Sequence, residues 1–312
     1  MVSRSRPFRF AFSVNHMPPT VKEWRDAVLM ADDLGYSQVI LGDHVGEARY
    51  SSMVAFAAAA GFSSSLRFGT IVFNNDFRHP VMVAKDAATL DHMTEGRYQL
   101  GLGAGWMTSD YTSTGIARDP GRVRIARLEE SVKIIKGLFG DGPVSFDGEH
   151  YQISDLEGLP KPVQSRLPIF IGGGTRALLT MAGREADIVG LQPVHRGGSR
   201  GGGPELSSEA LGQRSAWVKE GAAGRYDEIE LHLLVHGIAV ATTAAAGAEK
   251  ISARFGLTPE EALVSPYLLL GPVEKIAEDL LGLREKYDLS YFSIRYATAP
   301  EFAPVLSILA GA

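Results

Sequence analysis

Asp43-His44 ends an apolar run, Ser37 to Leu41, and an aspartate–histidine pair at a strand end is a candidate for proton transfer. A histidine there can give or take a proton near neutral pH, its ordinary pKa being about 6.5. The competing role is structural, with Asp43 capping the next segment and His44 filling space. A second constellation, Gly172-Gly173-Gly174-Thr175-Arg176, follows the strand-like Leu167 to Ile171 and leads into a helix. Free amides, a helix N-terminus, a hydroxyl and a guanidinium suit a phosphate; a tight strand-to-helix turn is the alternative. The third is the track Gly96 to Trp106, with glycines at 101, 103 and 105. It lacks the GxGxxG spacing of a dinucleotide fingerprint, but glycines at a strand end let a flat ring approach the backbone. Two such tracks together point to a phosphate-bearing cofactor.

Other chemistries find no anchor. There is no cysteine, which removes disulfides, thiolate catalysis and Cys-ligated metals. No HxH follows the first strand, and neither HExxH nor GxSxG occurs, so no metal site is expected. A formal charge of -5 offers no basic field for nucleic acid. No apolar run reaches the ~18 residues of a membrane span, and no signal-type core follows the basic N-terminus, so a cytoplasmic location is expected. Arg122, Arg124 and Arg127 read as a solvated helix face shared with Glu129 and Glu130.

The elements that must position these residues alternate. Strand-like segments fall at Phe8–Val14, Ser37–Leu41, Arg67–Phe73, Tyr98–Leu102, Ile169–Ile171, Asp187–Leu191, Glu228–His236 and Tyr291–Arg295. Between them lie helix-like stretches, the first opened by the capping-box spacing Thr20-Val21-Lys22-Glu23. Eight strands in βα order over 312 residues suit a single (β/α)8 barrel, residues 1–312; a doubly wound sheet is the competing topology. A barrel puts its site at the C-terminal strand ends, here Asn15-His16, Asp43-His44, Asn74-Asn75, Ala104-Gly105-Trp106, Gly172 to Thr175, Gln192, His236 and Arg295-Tyr296. Residues 193–206 form a glycine-rich loop expected to be flexible. Residues 237–270 read as an insertion after the seventh strand, with two short helical stretches.

Taken in order, the segments Gly35 to His44, Leu66 to Val72, Asp76-Phe77-Arg78-His79-Pro80, Gly96 to Tyr111, Leu159 to Gln164 and Gly172 to Asp187 resemble the bacterial-luciferase-like superfamily of flavin and deazaflavin oxidoreductases. Within it they resemble the coenzyme F420-dependent branch. The likeness covers residues 7–192 well and 195–270 hardly at all. It implies a (β/α)8 barrel of the luciferase type, commonly a homodimer, with a non-prolyl cis peptide at Ile71-Val72 against which the ring rests. By the same likeness Asp43 contacts the ring, His44 is the catalytic histidine, Asn74, Ala104 and Gly105 flank the ring or polyol chain, and Gly172, Gly173, Gly174 and Thr175 hold the phosphate.

Departures bear on the substrate. Sugar-phosphate dehydrogenases of that branch carry a glutamate after strand one, a tryptophan four residues past the histidine and a glutamate after the strand-four glycines. Here those places hold Asn15 to Met17, Ala48 and Trp106. With those carboxylates gone, a hydrophobic substrate is expected, in a pocket of Asn15, Phe73, Trp106, Met107, His236 and Arg295. The implied activity is hydride transfer between F420 and a small organic molecule. The alternatives are an FMN-dependent monooxygenase served by a separate reductase, and a non-catalytic cofactor binder.

Overall fold

The computed structural model describes residues 6–14, 20–46, 50–194 and 202–309. Thirteen strands occur among them: β1 (Arg9–Val14), β2 (Gln38–Leu41), β3 (Arg67–Thr70), β4 (Phe73–Asn74), β5 (Tyr98–Gly103), β6 (Pro143–Asp147), β7 (Gln152–Glu157), β8 (Ile169–Gly173), β9 (Ile188–Leu191), β10 (Glu230–Leu234), β11 (Gly237–Val240), β12 (Leu268–Gly271) and β13 (Leu289–Arg295). The parallel order β3-β2-β1-β13-β10-β9-β8-β5 closes on itself through the β3–β5 pairing. The fold is therefore a (β/α)8 barrel and not an open sheet. β4 extends the wall beside the end of β5, pairing Phe73 with Leu102 and Asn74 with Gly103.

Three apolar cores form among the described residues, one in the 237–271 unit around Ala239, Ala248, Ala262, Leu268 and Leu270 and two in the barrel. The larger lies between strands and helices, where Trp24, Val28 and Ala31 of the helix Val21–Asp33 and Leu128, Val132 and Ile135 of the helix Gly121–Phe139 are buried at helical spacing. The first of these helices is closed at its start by the Thr20–Glu23 capping box read from the sequence. The smaller core fills the barrel: Ala11, Ile40, Phe170, Ile188 and Tyr291, with Ile71 and Val72 packed above it. Some polar groups threaded through that interior are paired, while Gln38 Nε2, Gln99 Nε2 and His232 Nδ1 have no partner among the described residues. Arg9 binds Glu230 at 2.5 Å and lies 4.2 Å over the Tyr291 ring, while Tyr291 donates to Gln38 Oε1 at 3.0 Å. His232 sits between Phe170 and Tyr291, 2.6 Å from the Ser293 hydroxyl, and burial pushes its pKa down to about 3.

Several elements differ from the sequence reading. The third strand stops at Thr70 and resumes as β4 at Phe73, with the cis Ile71-Val72 peptide between them. The segment after the seventh barrel strand contains two strands as well as its helices: β11 and β12 pair in parallel, joined by helices Ala244–Ile251 and Pro259–Leu263. Helices Thr108–Thr114, Ser208–Ala222 and Ala299–Leu309 carry weak apolar periodicity and escaped the reading. The solvated arginine face is corrected. Arg124 is only 8% exposed, Arg127 pairs with Asp76 and Asp119, and Glu130 accepts the amides of Glu149, His150 and Tyr151 to hold the β6–β7 hairpin.

Candidate active site

A cavity of about 300 Å³ opens at the C-terminal ends of the barrel strands. Of the residues expected there, Asp43, His44, Ile71, Val72, Asn74, Ala104, Gly105, Trp106, Met107, Gly172, Gly173, Gly174, Thr175, His236 and Arg295 all line it. Asn15, His16, Ala48 and residues 195–201 of the 193–206 loop lie outside the described residues. Phe73 is misplaced by the sequence reading. Residues along a strand alternate faces, and Phe73 points into the core at 1% exposure, while its neighbour Asn74 faces the cavity.

The proton-handling end is built from two strand ends. His44 Nδ1 lies 2.8 Å from Asp110 Oδ2, and the other oxygen, Oδ1, accepts the Val45 amide at 3.3 Å. The Asp110 side chain is 3% exposed. The Trp106 ring meets His44 edge-on, with centroids 5.6 Å apart. A carboxylate can only accept here, so Nδ1 carries the hydrogen and Nε2 is left for proton exchange. The glutamates of the sugar-phosphate dehydrogenases are absent as read from the sequence, yet another carboxylate meets the histidine. The acid comes from the short helix Thr108–Thr114, one turn beyond Trp106. That i, i+4 spacing is the only sequence signal that could have found it.

Asp43 is held differently. Arg78 grips it with both prongs, Nη1 to Oδ2 at 2.5 Å and Nη2 to Oδ1 at 3.0 Å, and the Asn74 amide adds a 3.4 Å bond. Arg78 in turn lies 4.6 Å over the Phe73 ring, which gives that buried phenylalanine its role.

The remaining wall suits a planar cofactor with an anionic tail. Ile71, Val72 and Phe170 form an apolar floor. Gly103 and Gly174 leave space that a side chain would have to contest, the former against Val72 and the latter against the 192–194 backbone. Gln192 lines the cavity, and its Nε2 is buried without a partner among the described residues, a donor awaiting an acceptor. Gly121 and Thr175 bring to the cavity the N-termini of helices Gly121–Phe139 and Arg176–Glu185, neither capped by a side chain. Beside them the Arg124 guanidinium bonds only backbone carbonyls, those of Ala104, Gly105 and Asp119. Arg118 donates to the Trp106 carbonyl at 3.3 Å. Helix N-termini and guanidinium groups without carboxylate partners are what an anion requires. Sequence reasoning found the glycines and the strand-end Gln192, and missed Arg124 and Asp110.

Residues 5–210 match the family model described as luciferase-like monooxygenase. The chain belongs to the luciferase-like monooxygenase family. This luciferase-like chain is 30% identical over 219 residues to an F420-dependent glucose-6-phosphate dehydrogenase of Kineococcus radiotolerans, an alignment covering 66% of the chain and 62% of that protein. It is 36% identical over 167 residues to a 4-hydroxyprotoasukamycin monooxygenase of Streptomyces nodosus subsp. asukaensis, covering 49% and 44%. The match thus spans between 44% and 62% of these relatives' own length. Among solved structures, the coenzyme F420-dependent tetrahydromethanopterin reductase of Methanopyrus kandleri superposes with a TM-score of 0.75 over 98% of both chains, at 17% identity, a likeness of fold. Among the described residues there is no cluster of metal-ligating side chains, and no helix is long and apolar enough to cross a membrane.

Proposed function

We propose that this chain is an F420-dependent oxidoreductase moving a hydride between the deazaflavin and a small, apolar organic substrate. The observation that carries the reading is the His44–Asp110 pair, set in the cavity wall beside the Ile71–Val72 floor. Kinship with F420-dependent dehydrogenases supports the choice of cofactor. A bound deazaflavin supplies the hydride chemistry. The chain's own part is to hold the ring and its phosphate and to manage the accompanying proton. Asp110 fixes the imidazole, so His44 Nε2 gives or takes that proton from a constant position. Arg124 and the two helix N-termini hold the phosphate beside Gly173, Gly174 and Thr175. Trp106, Met107, Ile125 and Leu234 give the rest of the cavity an apolar wall, with His236 and Arg295 at its polar edge.

Trp106 stands where sugar-phosphate dehydrogenases of the F420 branch carry a glutamate, which argues against sugar oxidation. Efficient turnover of glucose 6-phosphate would remove the apolar-substrate reading. The Streptomyces relative favours one second reading, a monooxygenase using reduced FMN from a separate reductase. A homodimeric, cytoplasmic protein belongs to either proposal. An anaerobic fluorescence titration with F420 and, separately, FMN decides between them. Tight binding of F420 supports hydride transfer, binding of FMN alone supports oxygen chemistry, and binding of neither sinks both.

A further inference from the structure

The residues proposed above to hold the cofactor stand at the ends of β2 to β5 and of β8, neighbouring strands on one side of the barrel mouth. The other side, at the ends of β9, β10 and β13, carries Gln192, Leu234, His236 and Arg295. Along β9 alternate residues face the barrel interior: Ile188 belongs to the inner core, and Gly190 leaves room for the Phe170 ring. Gln192, two positions on, faces the same way and lines the cavity with Phe170. Its Nε2 is buried and meets no acceptor among the described residues, and an amide N–H can only donate. A buried donor left unpaired is costly, so the occupant of this side must bring an oxygen to it. Pro193 and Leu234 make the surroundings apolar, which suits a neutral oxygen on an apolar body.

His44 stands across the mouth from Gln192. Around the closed sheet β9 is the fourth strand from β2 in either direction, so the two strand ends face one another. The oxygen that Gln192 holds is therefore not the atom that exchanges a proton with His44. That argues against interconversion of a simple ketone and its alcohol, where a single oxygen would need both groups. It fits a molecule whose carbonyl activates an adjoining carbon–carbon double bond.

We propose that Gln192 is a substrate-binding residue, its Nε2 donating to the carbonyl oxygen of an α,β-unsaturated ketone or ester with an apolar body. This rests on the cofactor reading above. The β carbon accepts a hydride from the reduced deazaflavin, which is oxidised by two electrons. The double-bond pair moves to the α carbon, which then takes the Nε2 proton of His44. The carbonyl survives, and the product is the saturated ketone or ester. Gln192 steadies the negative charge that gathers on the oxygen as the hydride arrives.

The test uses the whole protein under anaerobic conditions, with cyclohexenone and benzylideneacetone as probes. Fluorescence titration comes first: Gln192→Leu and Gln192→Glu should bind F420 within about twofold of wild type, and a loss of about tenfold in both would assign the side chain to the cofactor and overturn the proposal. With reduced F420, wild-type protein should convert at least one probe to its saturated ketone. Gln192→Leu should lower kcat/KM by about tenfold to a hundredfold, the range expected when a buried hydrogen bond is lost. Gln192→Glu, nearly the same size, should fall as far because a carboxylate only accepts; a wild-type value in either variant overturns the proposal. Binding without chemistry gives a second readout on the F420-loaded protein. The preference for cyclohexanone over methylenecyclohexane, its analogue without the oxygen, should be about tenfold greater in wild type than in either variant. An unmoved preference, or F420 binding without reduction of either probe, overturns the proposal and leaves the cofactor reading standing. Wild-type protein that does not bind F420 overturns both.

Discussion

Gly101 and Gly103 lie two residues apart on β5, and their replacement by alanine separates what the fold needs from what the site needs. A Cβ at Gly101 would fall on the carbonyl oxygen and carbon of Thr70, well inside the 3.0 Å that real Cβ atoms keep. Both atoms are backbone, in a strand fixed on both sides by pairing, so nothing local can yield. A Cβ at Gly103 would instead meet one methyl of Val72, with the Val72 Cβ at 3.4 Å. That methyl must retreat by about 1 Å to reach ordinary contact. Valine is stiff about χ1, so its whole side chain shifts on the cavity floor. Overpacking against backbone should cost Gly101→Ala about 3 kcal/mol or more, and Gly103→Ala about 1 kcal/mol. At roughly 1.5 °C per kcal/mol for a chain of 312 residues, the first variant should melt about 5 °C or more below wild type and the second by about 1–2 °C. Binding should rank the other way among folded molecules. A floor displaced by about 1 Å loses dispersion contact across a flat ring, and Gly103→Ala should weaken F420 or FMN by about tenfold to a hundredfold. Thermal melts of the apo-protein and anaerobic fluorescence titrations measure the two effects. Unchanged affinity in Gly103→Ala would refute Val72 as the ring floor, and a wild-type melt in Gly101→Ala would refute the steric argument itself.

The other predictions concern single side chains. Once a substrate is in hand, His44→Asn should lower turnover by about 10²-fold or more. Asp110→Asn should lower it by about tenfold, since the imidazole keeps a partner but loses the charge-assisted bond; steady-state kinetics showing no loss in either would make the pair structural. His232 has its pKa lowered to about 3 in the fold, against an ordinary 6.5. The unfolded chain therefore takes up the proton first, and stability falls as pH drops from 6.5 toward 3. Urea unfolding should show the wild type losing roughly 3 kcal/mol through this group between pH 7 and pH 4, and His232→Gln should flatten that limb. Arg214 is 2% exposed and bonds the Glu205 carboxylate, the Glu205 carbonyl and the Tyr267 hydroxyl, so it ties the segment after residue 201 to the 237–271 unit. Arg214→Met should cost about 2 kcal/mol, read as a lower urea midpoint, because Glu205 keeps access to water; an unchanged midpoint would show that the bonds add nothing net.

The barrel was legible because its signals are local. Apolar runs of four to seven residues, closed by glycine or polar residues, recur at intervals that only a parallel βα repeat fills, and β1, β2, β5, β8 and β9 lie where those runs lie. The elements that escaped are those whose pattern is set by tertiary context. The helix Ser208–Ala222 mixes buried Leu211, Arg214 and Val218 with small residues, so its inner face does not read as apolar. The helix Ala299–Leu309 carries Pro304 inside it, which argues against a helix on propensity alone. The strands β11 and β12 lie thirty-one positions apart by their first residues, Val240's neighbours giving no hint that Leu268 would pair with Gly237.

For the site, residue type and strand-end position located the cavity wall, since a barrel obliges its strand ends to converge. Charge pairing was another matter. Asp110 meets His44 across 66 positions, and Arg78 meets Asp43 across 35. Neither pairing leaves a mark in composition or periodicity, yet each changes what its partner can do. Without Asp110, His44 has no fixed tautomer; without Arg78, Asp43 is a bare anion on the cavity wall. The glutamate positions of sugar-phosphate dehydrogenases do lack an acid here, and the carboxylate that meets His44 arrives instead from the following helix turn. What a sequence of this kind conceals is therefore less the identity of its reactive groups than their net charge once paired.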